Sequence, residues 1–144
     1  MRVNPKEQGR KGERAAAAWL LSQDAGVFFP FPEHSDIDLI AVMGDEMLRV
    51  QVKTSTVFIN NRWSVTICTR GGNRSWSGIV KYLDASRCDY LFVLVGDGRQ
   101  WFIPAHALEA RSGLQLGGPK YAAFEVEPGR PISESPSWSA SRIA

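Results

Sequence analysis

The sequence predicts a single α/β domain, and three observations carry that prediction. An Ala-rich segment near the N-terminus has helical spacing, and residues 47–56 alternate apolar and polar with the period of a strand. Tyr90 to Val95 (YLFVLV) is a continuous apolar run, as expected of a strand covered on both faces. A chain of 144 residues suits one domain, and contents of 44% hydrophobic and 22% charged residues exclude wholesale disorder. No apolar run approaches the roughly 20 residues of a membrane span. The basic N-terminus leads into no apolar stretch, so neither a membrane partner nor a signal peptide is expected. Cys68 and Cys88 form no CxxC and His34 and His106 share no ligand spacing. Zinc is not expected, and a cytoplasmic location is.

The elements follow in order. Asn4-Pro5-Lys6-Glu7 is a helix start, with an Asn cap, proline at the first helical position and Glu three residues after the cap. The helix runs through Ser22 with Ala15, Ala16, Trp19 and Leu20 on one stripe, and Gly26 closes it. Gly9 and Gly12 weaken its first turns unless another backbone or a ligand approaches there. Val27 to Phe29 is a short strand ended by Pro30 and Pro32. Ile37 to Val42 is a strand, Met43-Gly44-Asp45 its turn, and Met47 to Thr56 the next strand. Asn60-Asn61 turns into a third, in which Trp63, Val65 and Ile67 alternate, so the three are expected to form an antiparallel meander. Arg70 to Arg74 reads as a loop, and Trp76 to Ala85 as either helical or irregular. After Tyr90 to Val95, a turn at Gly96 to Gly98 leads to a strand through Ile103. Pro104 then starts an expected helix to Ala110, and Ala122 to Val126 is a last, weaker strand. Residues 1–127 make the domain. Residues 128–144, rich in Ser and Pro, form an irregular tail in which Trp138 is a possible tack.

The net charge of +2 hides a segregated pattern. Residues 15–46 hold six acidic and no basic groups, and residues 47–83 hold six basic and no acidic groups. Such blocks can set a carboxylate cluster beside a basic surface, as an enzyme acting on a polyanion needs, or simply pair with each other and face water.

Within them, Gln51 and Lys53 lie two apart on one strand and share a face, while Val50 and Val52 turn to the core. A hairpin at Gly44 brings Asp38 alongside. A carboxylate, an amide, an ammonium and the Val52 carbonyl thereby converge, a set of oxygen ligands suited to Mg²⁺ or Mn²⁺. The plainer reading is a solvated strand face beside acidic neighbours.

The order of Gly12-Glu13 on the Ala-rich helix, Asp36-Ile37-Asp38-Leu39-Ile40, Arg49-Val50-Gln51-Val52-Lys53-Thr54 and Asp89-Tyr90 resembles the PD-(D/E)XK nuclease superfamily. It is nearest the branch of group I intron homing endonucleases and more distantly similar to the Holliday junction resolvases. Phe102-Ile103-Pro104 matches the strand-to-helix junction that follows, and the resemblance spans about residues 8–108. It implies a restriction-endonuclease-like core with a mixed central β-sheet flanked by helices, and Mg²⁺- or Mn²⁺-dependent hydrolysis of DNA phosphodiesters by a homo-oligomer (dimer or tetramer). Asp38 matches the motif aspartate, Lys53 the motif lysine and Glu13 the helix glutamate. Gln51 stands where most members carry Asp or Glu, although Gln is the resembled branch's own residue. Asp38, Gln51 and the Val52 carbonyl are then the metal ligands, with Glu13 at a second site or acting through water, and Lys53 assists the attacking water.

Asp36, His34, Thr54 and Ser55 rank lower: Asp36 as a substitute carboxylate, His34 as a metal neighbour or a loop histidine with a structural bond, and the hydroxyls as phosphate or water contacts. Arg10, Lys11 and Arg14 beside Glu13, with Arg70 and Arg74, are the expected DNA contacts. The alternative is a catalytically weak or inactive nucleic-acid-binding module on the same scaffold, motivated by Gln51. A third reading is a protein-interaction domain.

Overall fold

The computed structural model describes residues 4–34, 36–70, 80, 81, 83–110 and 112–132, and for 69, 70, 80 and 81 the backbone alone. The expected DNA contact Arg74, the segment around Trp76 and the tail with Trp138 lie outside the described residues. Helix α1 spans Pro5–Ser22, and its Asn4 side chain accepts from the Glu7 N–H at 2.8 Å, the cap read from sequence. Strands β1 (Gly26–Phe28), β2 (Leu39–Met43) and β3 (Glu46–Ser55) follow, with Gly44 at φ +61° making the β2–β3 turn. Then come β4 (Phe58–Ile59), β5 (Arg62–Thr66), β6 (Thr69–Arg70), β7 (Val80–Lys81), β8 (Tyr90–Val95), β9 (Gln100–Pro104), β10 (Gly113–Leu116) and β11 (Glu125–Val126).

Among the described residues the main sheet has six strands in the order β1-β2-β3-β8-β9-β11, and only β3 and β8 run parallel. The α/β class and the mixed sheet stand. The expected meander does not: β5 leaves the sheet after β3 and joins β10 and β4 in a separate three-stranded sheet. Alternation identified β5 as a strand but carried no information about its neighbours. The expected helix after Pro104 is only a turn of 3₁₀ helix, Ala105–Ala107. The Ala105 N–H goes to the Asp89 carbonyl and the Glu109 N–H to the Tyr121 hydroxyl, so long-range partners take the donors. Ala122–Phe124 is likewise a 3₁₀ turn, which leaves Glu125–Val126 as the last strand.

The main sheet is covered on both faces. On one, α1 packs Ala16 and Leu20 onto Leu39, Ala41, Val50, Phe92 and Leu94. On the other, Leu91, Val93, Val95, Trp101 and Ile103 meet Val65, Leu114 and Leu116 of the small sheet. Strand β8 thus feeds both cores, which is why its sequence shows no alternation. The chain from Glu127 to Ile132 folds back along the molecule. Ile132 is fully buried, its N–H reaches the Gly96 carbonyl, and the Gln100 amide donates to the Glu127 carbonyl.

Candidate active site

Strand β2 ends short of its partner. The ladder stops at Leu39↔Val50, with the Asp38 N–H on the Val50 carbonyl at 2.9 Å. At Val52 the Asp38 side chain replaces the missing β2 backbone: its Oδ2 accepts the Val52 N–H at 2.7 Å. One carboxylate oxygen is thereby fixed and the other left for a ligand. The carbonyl of Val52 lies on the same edge of β3 as its N–H. Past the end of the ladder Asp38 meets β3 through its own N–H on Val50 and its carboxylate on Val52, and the Lys53 ammonium is within electrostatic reach of that carboxylate. Gln51 and Lys53 lie two apart on β3 and share one face. Gln51 is only 9% exposed.

Glu13 arrives from the other side of the sheet. Helix α1 lies so close to β3 that a Cβ on Gly12 would collide with Thr54 Cγ2 and come within 3.1 Å of Val52 Cγ1. Glycine at this position lets the helix approach, and the next residue is Glu13. Gly9 has open space instead. Burial pushes the Glu13 carboxyl above its ordinary range, and the charges of Asp38 and Glu33 push the same way against Arg10. The Asp38 carboxyl is also raised, again chiefly by burial. The Val52 N–H and the Lys53 ammonium pull it down, and Glu33 pushes it up. Glu33, from the loop between β1 and β2, is thus a third carboxylate felt by both. Nothing in its spacing singles it out, and only its place in the acidic block offered a signal.

The lower-ranked residues are committed elsewhere. Asp36 pairs with Arg87 at 3.2 Å, and His34 Nδ1 accepts the Asp36 N–H, the structural bond of a loop histidine. Thr54 lies on the helix face and accepts from the Gln8 amide at 3.1 Å, while the Ser55 hydroxyl donates to the Ser64 carbonyl of β5. Both hydroxyls therefore join elements together. Lys11 donates to the Ile132 carbonyl at 2.8 Å, whereas Arg10 and Arg14 are exposed. Arg70 is a strand residue of β6, not part of a loop. Arg49 forks onto Asp89 through Nε and Nη2, both at 3.0 Å, while its own N–H also reaches that carboxylate. Asp89 in this way ties β3 to the start of β8. Of the basic groups of residues 47–83 whose side chains are described, Arg49 is paired with Asp89 and Arg62 lies on β5 against Gly118.

The donors at the site are all oxygens: two carboxylates of raised proton affinity, a nearly buried amide and a strand-edge carbonyl. That set fits a hard divalent cation, whose charge would relieve the repulsion between Glu13 and Asp38. Among the described residues no three His, Cys, Asp or Glu side chains converge as a ready metal cluster, so the amide and backbone oxygens would have to complete the set.

A mixed sheet with a carboxylate at the frayed end of one strand, a lysine on the next and a glutamate from the packed helix defines a nuclease of restriction-endonuclease-like fold. The sequence model of the PD-(D/E)XK endonucleases matches residues 3–115, and the chain belongs to that family. The chain is similar in structure to a bacterial homing endonuclease, I-Ssp6803I, with a TM-score of 0.74 at 19% identity, over 85% of this chain and 89% of that one. No curated protein matches the sequence. No helix among the described residues is long and apolar enough to cross a membrane.

Proposed function

We propose that the chain is a metal-dependent DNA endonuclease that hydrolyses phosphodiester bonds by water attack, acting as a cytoplasmic homo-oligomer. The carrying observation is the Asp38 carboxylate held on the Val52 N–H, beside Gln51 and Lys53 and within electrostatic reach of Glu13. Asp38, Gln51 and the Val52 carbonyl would hold Mg²⁺ or Mn²⁺, with Glu13 directly or through water. When bound, the cation supplies charge that lowers the pKa of a water and neutralises the scissile phosphate. Lys53 orients the attacking water and offsets charge growing on the phosphate. A fold this small reads little DNA alone, which favours two or more copies.

The test is nicking of supercoiled plasmid in Mg²⁺ or Mn²⁺ by the full chain, with Asp38→Ala and Lys53→Ala alongside. Activity that survives both substitutions refutes the site. A second reading rests on Gln51, whose neutral amide holds a cation less tightly than a carboxylate: a DNA-binding module with weak or no activity. Salt-sensitive DNA binding without cleavage in either metal would select it.

A further inference from the structure

The loop between β1 and β2 carries a feature that the hydrolytic site does not use. Phe31 is 100% exposed, and Phe28 and Phe29 before it are 59% and 56% exposed. Three exposed aromatic side chains within four residues are of the kind that marks an interaction site. Its position is set by topology. Phe28 lies opposite Ile40 at the last rung of the β1–β2 pairing, and the chain returns to β2 through Asp38. The loop from Phe29 to Asp38 therefore begins and ends at the edge where the site lies. Pro30 and Pro32 flank Phe31 and limit the backbone freedom of the tip, so little ordering remains when something is gripped.

We propose that Phe31 is a stacking residue for a base of the nucleic acid whose phosphate the Asp38 site takes. This rests on the endonuclease reading. Glu33, two residues further on, lies within about 7 Å of chain from the tip, and its charge is felt by both Glu13 and Asp38. A base suits the exposed Phe31 ring in these acidic surroundings because it stacks through a neutral π face, while the phosphates that accompany it would meet the cation held at the Asp38 site. A second copy of this chain is disfavoured by the same surroundings. A two-fold contact centred on Phe31 would set Glu33 and its acidic neighbours against their own copies, and like charges so apposed are repelled.

The experiment uses the full chain in Ca²⁺ with fluorescent duplex and single-stranded oligonucleotides containing 2-aminopurine. Phe31→Ala, Phe31→Leu and Phe31→Trp are compared. All three should keep the unsubstituted melting temperature, since the ring touches nothing. Stacking predicts that Ala and Leu each weaken binding about tenfold and abolish the 2-aminopurine response. Trp should retain both, and the sedimentation mass should not change. Binding by Phe31→Ala equal to the parent overturns the proposal while leaving the endonuclease reading intact. Parental behaviour of Leu, with a fall in mass for Ala, also overturns it, in favour of a contact between copies. Absence of nucleic-acid binding by the unsubstituted chain overturns both readings.

Discussion

Replacement of Gly12 by Ala tests whether close approach of α1 sets the site. The new Cβ meets Thr54 Cγ2 in a collision and Val52 Cγ1 at 3.1 Å, both on the strand that carries Lys53. Overpacking of this kind costs about 1–3 kcal/mol, and the better helix propensity of Ala returns about 1 kcal/mol. The net loss is therefore about 0–2 kcal/mol, too broad a range to be decisive by itself. A cycle with Thr54→Ser is decisive. Serine lacks the colliding methyl yet keeps the oxygen that accepts from Gln8. In that background Gly12→Ala has only the Val52 contact to absorb, which asks a few tenths of an ångström, so coupling of about 1–2 kcal/mol is expected. Urea denaturation of the four proteins measures it. Plasmid nicking should follow, falling in Gly12→Ala as the helix lifts Glu13 and recovering in the double variant. Coupling below about 0.5 kcal/mol, the scatter of independent sites, refutes the account of how α1 is seated.

The remaining predictions concern charge and packing. Asp38→Asn should abolish nicking in Mg²⁺ and, in chelator, raise stability at neutral pH, because the amide can still accept from Val52 without a buried charge. A carboxyl raised on folding adds stability fully present below its ordinary value, 3.8 for Asp38, and lost as pH rises through the folded value; the Asn advantage should therefore fade on acidification, and an advantage independent of pH would refute this cause. Asp89 has the opposite sign, since the Arg49 fork lowers it: its contribution is present above 3.8 and lost as pH falls through the folded value, so Asp89→Ala should cost stability at pH 7 and flatten the acid limb of a denaturation series. Saturation with Mg²⁺ at a hundred times its Kd should stabilise the parent by about 2.7 kcal/mol, and Asp38→Ala should lose that gain in thermal scans with and without chelator. The Trp101 indole N–H is buried without a partner among the described residues, so Trp101→Phe removes a donor that had no bond while Trp101→Ala should cost about 3–5 kcal/mol; equal losses for both in denaturant would show that the N–H is satisfied.

The parts of the fold legible in the sequence were those whose signal is local. The Asn4 cap, the period of α1, the alternation of β3 and the double-faced run of β8 each come from a few adjacent residues. The small sheet was not legible. Strand β10 is four residues long, and it recruits β5 from across nearly fifty positions of chain through pairs such as Leu114↔Val65. The 3₁₀ turn at Ala105 is hidden for the same reason, its N–H being taken by Asp89 far upstream. Gln51 and Lys53 were legible as a pair because alternation fixes their shared face of β3, whereas the hold of Asp38 on Val52 is made by its side chain past the end of the ladder. Glu33 was not, since a loop residue has no periodicity. The commitments of Lys11, Thr54 and Ser55 are equally tertiary facts.

Segregated charge along the chain foretold less than it suggested, because folding sorts each group by its neighbours. Asp36 and Asp38 lie two residues apart in one acidic block, yet one meets the Arg87 guanidinium and the other a backbone N–H. The direction of each shift separates the two kinds of carboxylate. Asp89 and Glu125, forked by Arg49 and Arg99, are held below the ordinary range and serve to join strands. Glu13 and Asp38 are both raised, chiefly by burial, with the charge of Glu33 adding to both and that of Asp38 adding to Glu13. Holding such groups together is unfavourable to the fold by itself, and a protein gains from it only where a cation or a transferred proton uses the arrangement. That contrast supports the proposed site at the end of β2 over any of the ion-paired carboxylates.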